Sequence, residues 1–278
     1  ALAQFRRELG ENFRRTRRSA SCIRALSARI DHELRQLWKE AMAAVPGRQA
    51  CLIATGGYGR RQLFPGSDID VLVLCPDIRQ PELDAAVRVF LAAAWDLGLE
   101  LAQAVRTLPG LAEFAAQDLS GFTALLDARC LIGDRALFAN LGTSLRQPAL
   151  WPPSEFLRAK IDERDERHGR HADTAHNLEP NLKSGRGALR DLQTARWIAK
   201  RCFNVERWLD MYERGLLEKD EARRLARAEA WLSDLRFALH VLSGRHDERV
   251  LFDHQPALAQ LFDLPASGPR EHPVEALM

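Results

Sequence analysis

Residues 55–70 read TGGYGRRQLFPGSDID, a polar stretch set between two apolar runs, CLIA at 51–54 and VLVLC at 71–75. Short apolar runs bounded by turn residues predict buried strands, so CLIAT and DIDVLVLC are expected to be two of them. Asp68 and Asp70 stand two positions apart on an extended chain. Their side chains therefore share one face, while Ile69 and Val71 point to the other. Two carboxylates that close repel each other and are costly to desolvate without a positive partner. A divalent cation supplies one, and Mg²⁺ favours one or two carboxylates together with phosphate oxygens.

The rest of the stretch suits the phosphate. Gly56 and Gly57 follow the first strand and precede an expected short helical run, YGRRQL. Without side chains there, a triphosphate can approach the backbone N–H groups at the helix start. Arg60 and Arg61 offer charge-assisted bonds, and Ser67 offers a hydroxyl directly before Asp68. A glycine pair alone marks a turn, and a DxD alone marks a solvated strand end. Both together, GG leaving one apolar strand and SDxD entering the next, point to metal-assisted nucleotidyl transfer. The chain has neither GxGxxG nor GxxxxGK[ST], which excludes a Rossmann fingerprint and a Walker A loop.

Working outward, residues 1–46 read as a helical segment, with Ile23, Leu26, Ile30, Leu34, Leu37 and Ala41 three or four apart. Seven arginines from Arg6 to Arg24 read as a solvated face. Glu82–Leu97 is expected to be a helix packing Leu83, Ala86, Val87, Phe90 and Ala94, and LGLELAQAVRTLPG at 97–110 a third strand. Helical patterns then run from Leu111 to Cys130, with a turn at IGDR. Residues 47–147 thus form a small sheet with helices. Residues 148–278 show no strand pattern and form a helical second domain, with Leu225, Ala228, Leu232, Leu235, Leu239 and Leu242 along one face of a long helix. The tail PASGPREHPVEALM reads as a linker.

Of 278 residues 46% are hydrophobic and 28% charged, with 40 basic against 38 acidic, so the chain is an ordinary soluble one. A net charge of +2 gives no support to a nucleic-acid partner. No run suits a membrane span, and five dispersed cysteines without a CxxC fit a cytoplasmic protein with no zinc knot. His168, His171 and His176 lie in a charged run that reads as a solvated helix end.

ATGGYGRRQLFPGSDIDVLVL resembles the nucleotidyltransferase region of bacterial bifunctional protein-PII uridylyltransferase/uridylyl-removing enzymes, within the DNA polymerase β-like nucleotidyltransferase superfamily. HNLEPNLKSGRGALRDLQTARWIAKRCF at 176–203 resembles a second block of the same family, and FLRAKIDERDERHGRH and ERVLFDHQ extend the likeness over essentially the whole chain. The resemblance implies an α+β fold, a polymerase β-like mixed-sheet core with a helical second domain. It implies phosphate-loop roles for Gly56 and Gly57, metal binding by Asp68 and Asp70, and two Mg²⁺ ions with bound nucleotide. A third carboxylate belongs on a later strand. Glu100, on one face with Ala102 and Arg106, is the candidate, and Asp96 the competitor. In the second block Asn177, Asn181, Lys183 and Arg190 are candidates to grip the nucleotide or close the cleft. Asp191 is expected to fix Arg190 or cap the local structure rather than bind metal. The implied partners are UTP and the PII signal protein, the reaction transfer of UMP to a tyrosine with release of pyrophosphate.

Three departures stand out. The family usually has GYGRGEL where this chain has GYGRRQL, so Arg61 and Gln62 replace glycine and glutamate. AQAVRT replaces a GHSVRT-like run, and GALRD, with Ala188, replaces GGLRD. They leave two alternatives open: a nucleotidyltransferase with another nucleotide or acceptor, or a non-catalytic nucleotide-sensing or interaction module. The family's uridylyl-removing HD domain and its ACT domains would follow PVEALM, so hydrolysis of PII-UMP is expected to be absent from this chain.

Overall fold

The computed structural model describes residues 2–45, 47, 49–170, 178–265 and 273–277. In chain order the larger elements are α1 (Leu2–Thr16), α2 (Ser19–Ala41), β1 (Cys51–Ala54), α3 (Gly56–Gly59), β2 (Ile69–Leu74), α4 (Pro81–Asp96), β3 (Leu101–Arg106), α5 (Leu108–Gln117), α6 (Leu119–Leu126), β4 (Arg129–Gly133) and α7 (Arg135–Leu145), followed by α8 (Pro153–Arg170), α9 (Leu189–Phe203), α10 (Trp208–Glu213), α11 (Lys219–Ser243) and α12 (Gln255–Leu261). The fold is α+β. No helix of the described residues is long and apolar enough to cross a membrane.

Two compact units divide these elements. The first takes Ile23–Leu63 and Ser67–Pro152, and the second takes Phe5–Cys22, Phe64–Gly66 and the chain from Pro153 onward. The first unit holds a four-stranded mixed sheet of order β3-β2-β1-β4. Strand β1 runs antiparallel to β2 and β4, whereas β2 and β3 are parallel. All four residues of β1 are buried, as a central strand covered on both faces requires. In β2 every residue except Asp70 is buried. Helix α4 buries Leu83, Ala86, Val87, Phe90 and Ala94, the five residues its periodicity singles out, and Trp38 meets Phe90 edge-on at 5.3 Å. Leu83, Val87 and Phe90 each contribute about 1.5–3 kcal/mol on burial, and the two alanines less.

The expected helical run from Leu111 to Cys130 is corrected. Asp118 ends α5 and caps α6, its carboxylate accepting from Gly121 N–H at 2.6 Å. Residues 129–133, read as a helix end and a turn, form β4 instead. Five residues with an arginine at one end and a glycine at the other carry no two-residue alternation long enough to announce a strand.

In the second unit Phe13 of α1 packs on Phe237 of α11, ring centroids 4.7 Å apart, and the Asp234 carboxylate accepts from the Ser19 N–H and hydroxyl at the start of α2, each at 2.7 Å. Helices α9, α10 and α11 share a core of Leu192, Ala199, Val205, Trp208, Met211 and Ala222. The single apolar face expected of α11 is also corrected. Ala228 is exposed, while Asp234 through His240 are all buried, so those two turns are enclosed on every side. Its buried charges are paired: Arg236 forms a fork with Glu248, Nε to Oε2 at 2.7 Å. Six of the seven N-terminal arginines are exposed, and Arg17 pairs with Asp263.

Candidate active site

Thr55 N–H donates to the carbonyl of Asp70 at 3.1 Å, carrying the β1–β2 pairing one step past Ala54↔Val71. The chain then turns at Gly56, whose φ of +54° is the left-handed conformation that L side chains rarely adopt. A Cβ at Gly56 would stand 3.2 Å from Asp70 Oδ2, so the carboxylate lies directly against the glycine. The glycines do not precede the short helix, as expected, but begin it: α3 is GGYG, closed by Gly59 N–H to Thr55 O at 2.8 Å and Arg60 N–H to Gly56 O at 3.2 Å. Gly59 must be glycine for a different reason. A Cβ there would fall 2.1 Å from the carbonyl oxygen of Asp127.

A buried network anchors this loop, and sequence reasoning missed it. Asp31, on α2, accepts from Tyr58 Oη at 2.7 Å and from Arg129 at 2.7 and 3.0 Å. Arg129, the first residue of β4, also donates to the carbonyls of Gly59 and Tyr58, each at 3.2 Å, and lies over the Tyr58 ring. Burial, with the Asp31 carboxylate next, pushes the Tyr58 phenol well above its ordinary range, so it remains a donor. The one sequence signal was polar residues at core positions of otherwise apolar patterns. Arg60, expected at phosphate, reaches Asp127 at 2.5 Å and the Gln62 side chain at 2.8 Å.

The strand register separates the two candidates for the third carboxylate. Ile69 pairs with Leu101 and Asp70 with Ala102, so one step back sets Glu100 level with Asp68, on the face of Asp70. Asp96 ends α4, ahead of the turn at Gly98, and is not in that register. Asp68 and Glu100 are exposed, while Ser67 and Asp70 are half-buried. Among the described residues no three His, Cys, Asp or Glu side chains are gathered into a metal-holding group. Asp68, Asp70 and Glu100 share a register rather than a preassembled cage. The donor chemistry still fits a hard cation, since carboxylate oxygens stand beside a glycine whose missing side chain leaves room.

Asn181, Lys183 and Arg190 lie in the second unit, grouped around their own loop. The Asn181 side chain accepts from Lys183 N–H at 3.0 Å and Ser184 N–H at 2.7 Å. Lys183 Nζ is 3.7 Å from Glu248, and Arg190 lies over the Trp197 ring at 5.3 Å. Asp191 fixes local structure, as expected, through Gly187 N–H at 2.8 Å, His168 at 3.0 Å and Arg167. The helix end expected to be solvated is so in part: Asp162, Asp165, Glu166, Gly169 and Arg170 are exposed, and the exceptions lie on one side. Arg167 is buried against Asp191, and Lys160, 1% exposed, is paired with Glu163 and set over Trp197. Asn177, His171 and His176, and most of the tail read as a linker, lie outside the described residues.

Residues 155–278 match the family model described as GlnD PII-uridylyltransferase. Over 255 residues, 92% of its length, the chain is 42% identical to the bifunctional uridylyltransferase/uridylyl-removing enzymes of Burkholderia lata and Burkholderia vietnamiensis. The chain thus matches a fragment of these larger enzymes. It spans 29% of the length of those curated relatives. The departures at 61 and 62 have a physical reading. Arg61 is held at φ +58°, a conformation suited to the usual uridylyltransferase glycine, and Gln62 keeps a neutral bond to Arg60 where glutamate would carry charge. Arg61→Gly is expected to raise stability by about 1 kcal/mol, the relief of left-handed strain less the unfolded-state entropy of glycine. Urea melts of parent and variant check this, and a lower midpoint for the variant contradicts it.

Proposed function

We propose that the chain transfers UMP from UTP to a tyrosine hydroxyl of the PII signal protein, with release of pyrophosphate. The observation that carries the reading is the Asp70 carboxylate set against Gly56 where β1 hands over to the glycine helix. Asp68 and Asp70 would hold Mg²⁺, with Glu100 as the third carboxylate, two ions being expected with the nucleotide. When bound, the ions neutralise charge on the phosphates and acidify the attacking hydroxyl. The protein's own part is positional. Gly56 leaves space for phosphate beside the carboxylates, Gly57 continues that open backbone, and Ser67 offers a hydroxyl donor. Tyr58, Asp31 and Arg129 keep the loop from moving as charge develops, and Arg60 braces it through Asp127. Preorganisation of this kind avoids reorganisation at the moment of reaction.

The test incubates the chain with each labelled nucleoside triphosphate, Mg²⁺ and PII. Labelling of PII by UTP supports the proposal, and labelling by ATP alone moves it to another nucleotidyl transfer. Nucleotide binding without pyrophosphate release leaves a sensing module. In the same assay Glu100→Gln is expected to lose at least tenfold more activity than Asp96→Asn, because only Glu100 stands level with Asp68. The reverse ranking relocates the third ligand. Uridylyl removal, the second activity in the relatives' name, is proposed to need residues beyond this stretch of the family, so uridylylated PII should yield no UMP.

A further inference from the structure

Two thiols are in contact across the antiparallel β1–β4 pair. Cys51 Sγ lies 3.4 Å from Cys130 Sγ, next to the irregular step in register between Leu52 and Ile53. Cys51 is fully buried and Cys130 half-buried, so an outside reagent meets Cys130 first. The charges of Arg135, Arg35 and Arg129 act on Cys130, and Arg35 is held beside it by its bond to the neighbouring Leu131 O at 3.0 Å. A disulfide needs the sulfurs at about 2.05 Å, a closure within the reach of side-chain rotation from this contact.

We propose that Cys51 and Cys130 are a reversible dithiol site, in which Cys130 attacks a small disulfide such as oxidised glutathione and Cys51 resolves the product into an intramolecular bridge. In the first step the Cys130 thiolate forms a bond to one sulfur of the small disulfide and expels the other as a thiolate. Cys51 then gives up its proton and attacks Cys130 Sγ, expelling the second small thiolate. Two protein thiols are oxidised and one small disulfide is reduced to two thiols, the protons ending on those leaving groups. The order of attack follows from the surroundings. The Cys51 thiol hydrogen-bonds the Cys130 thiolate and the three arginines attract it, bringing Cys130 down to about 7, whereas Cys51 is pushed far up. Burial raises Cys22, Cys75 and Cys202, so none of them competes at neutral pH. The site stands on the β1–β4 geometry and does not depend on the transfer reading.

The test uses the reduced full chain in neutral glutathione buffers of increasingly oxidising ratio. Five titratable thiols should fall to three, with a peptide carrying Cys51 joined to one carrying Cys130 and full recovery in dithiothreitol. Iodoacetamide at neutral pH should label Cys130 on the order of tenfold faster than Cys202. Cys51→Ser should stop at a glutathione mixed disulfide on Cys130, and Cys130→Ser should leave Cys51 unmodified. Retention of five thiols by the parent overturns the proposal. So does a bridge to another cysteine, or Cys130→Ser reacting at Cys51 as fast as the parent reacts at Cys130.

Discussion

Asp70→Asn should lower UMP transfer by about 10²–10³-fold while leaving the protein folded. The substitution keeps the size and shape of the side chain but removes a full negative charge from the carboxylate face beside Gly56. Asp70 is the one residue of β2 that is not buried, so little packing changes. A half-exposed isosteric change alters stability by roughly 0.5 kcal/mol, which shifts the melting temperature by about 2 °C or less. Single-turnover transfer and a thermal melt separate the two effects. Parent-like transfer by Asp70→Asn would remove the carboxylate pair from the mechanism, and a collapse of the melt would make Asp70 structural instead.

The second large effect concerns stability. Asp31→Ala should destabilise the protein by about 3–5 kcal/mol, because it leaves a half-buried Arg129 without its carboxylate and the Tyr58 phenol without an acceptor. At this chain length the melting temperature should fall by about 10 °C. Tyr58→Phe removes one hydrogen bond and should cost only about 1–2 kcal/mol. Chemical denaturation of both variants gives the ranking, and equal losses would show that the carboxylate is not the hub of the network.

The parts of the fold that could be read from residues alone are those where one pattern dominates. Strand β1 is an unbroken apolar run, and α4 repeats its apolar residues at helical spacing, so both were legible to within a residue or two at their ends. The two aspartates were legible for the opposite reason, since nothing in a strand pattern accounts for them. Strand β4 was not, because its identity comes from pairing with β1, and its arginine faces inward to a carboxylate nearly a hundred positions earlier. The same holds for Lys160 and Arg167. Each looks like surface in a charged run, yet a partner distant in sequence or one helical turn away makes its burial tolerable. Polar networks are invisible to periodicity because each member breaks the pattern that surrounds it.

The interleaving of the two units bears on how the protein can be taken apart. The chain does not pass once from one unit to the other. Phe5–Cys22 and Phe64–Gly66 belong with the residues after Pro153, although both segments precede them. Phe13 keeps its aromatic neighbours Phe237 and Phe262, Phe64 lies under the Arg236 guanidinium at 4.1 Å, and Gly66 N–H donates to His240 at 3.3 Å. A gene fragment stopped at Pro152 would therefore strand Phe13 and Phe64 in water. One started at Pro153 would open the holes those rings fill. The family match beginning at residue 155 is a convenient seam in sequence, but it is not a place to cut.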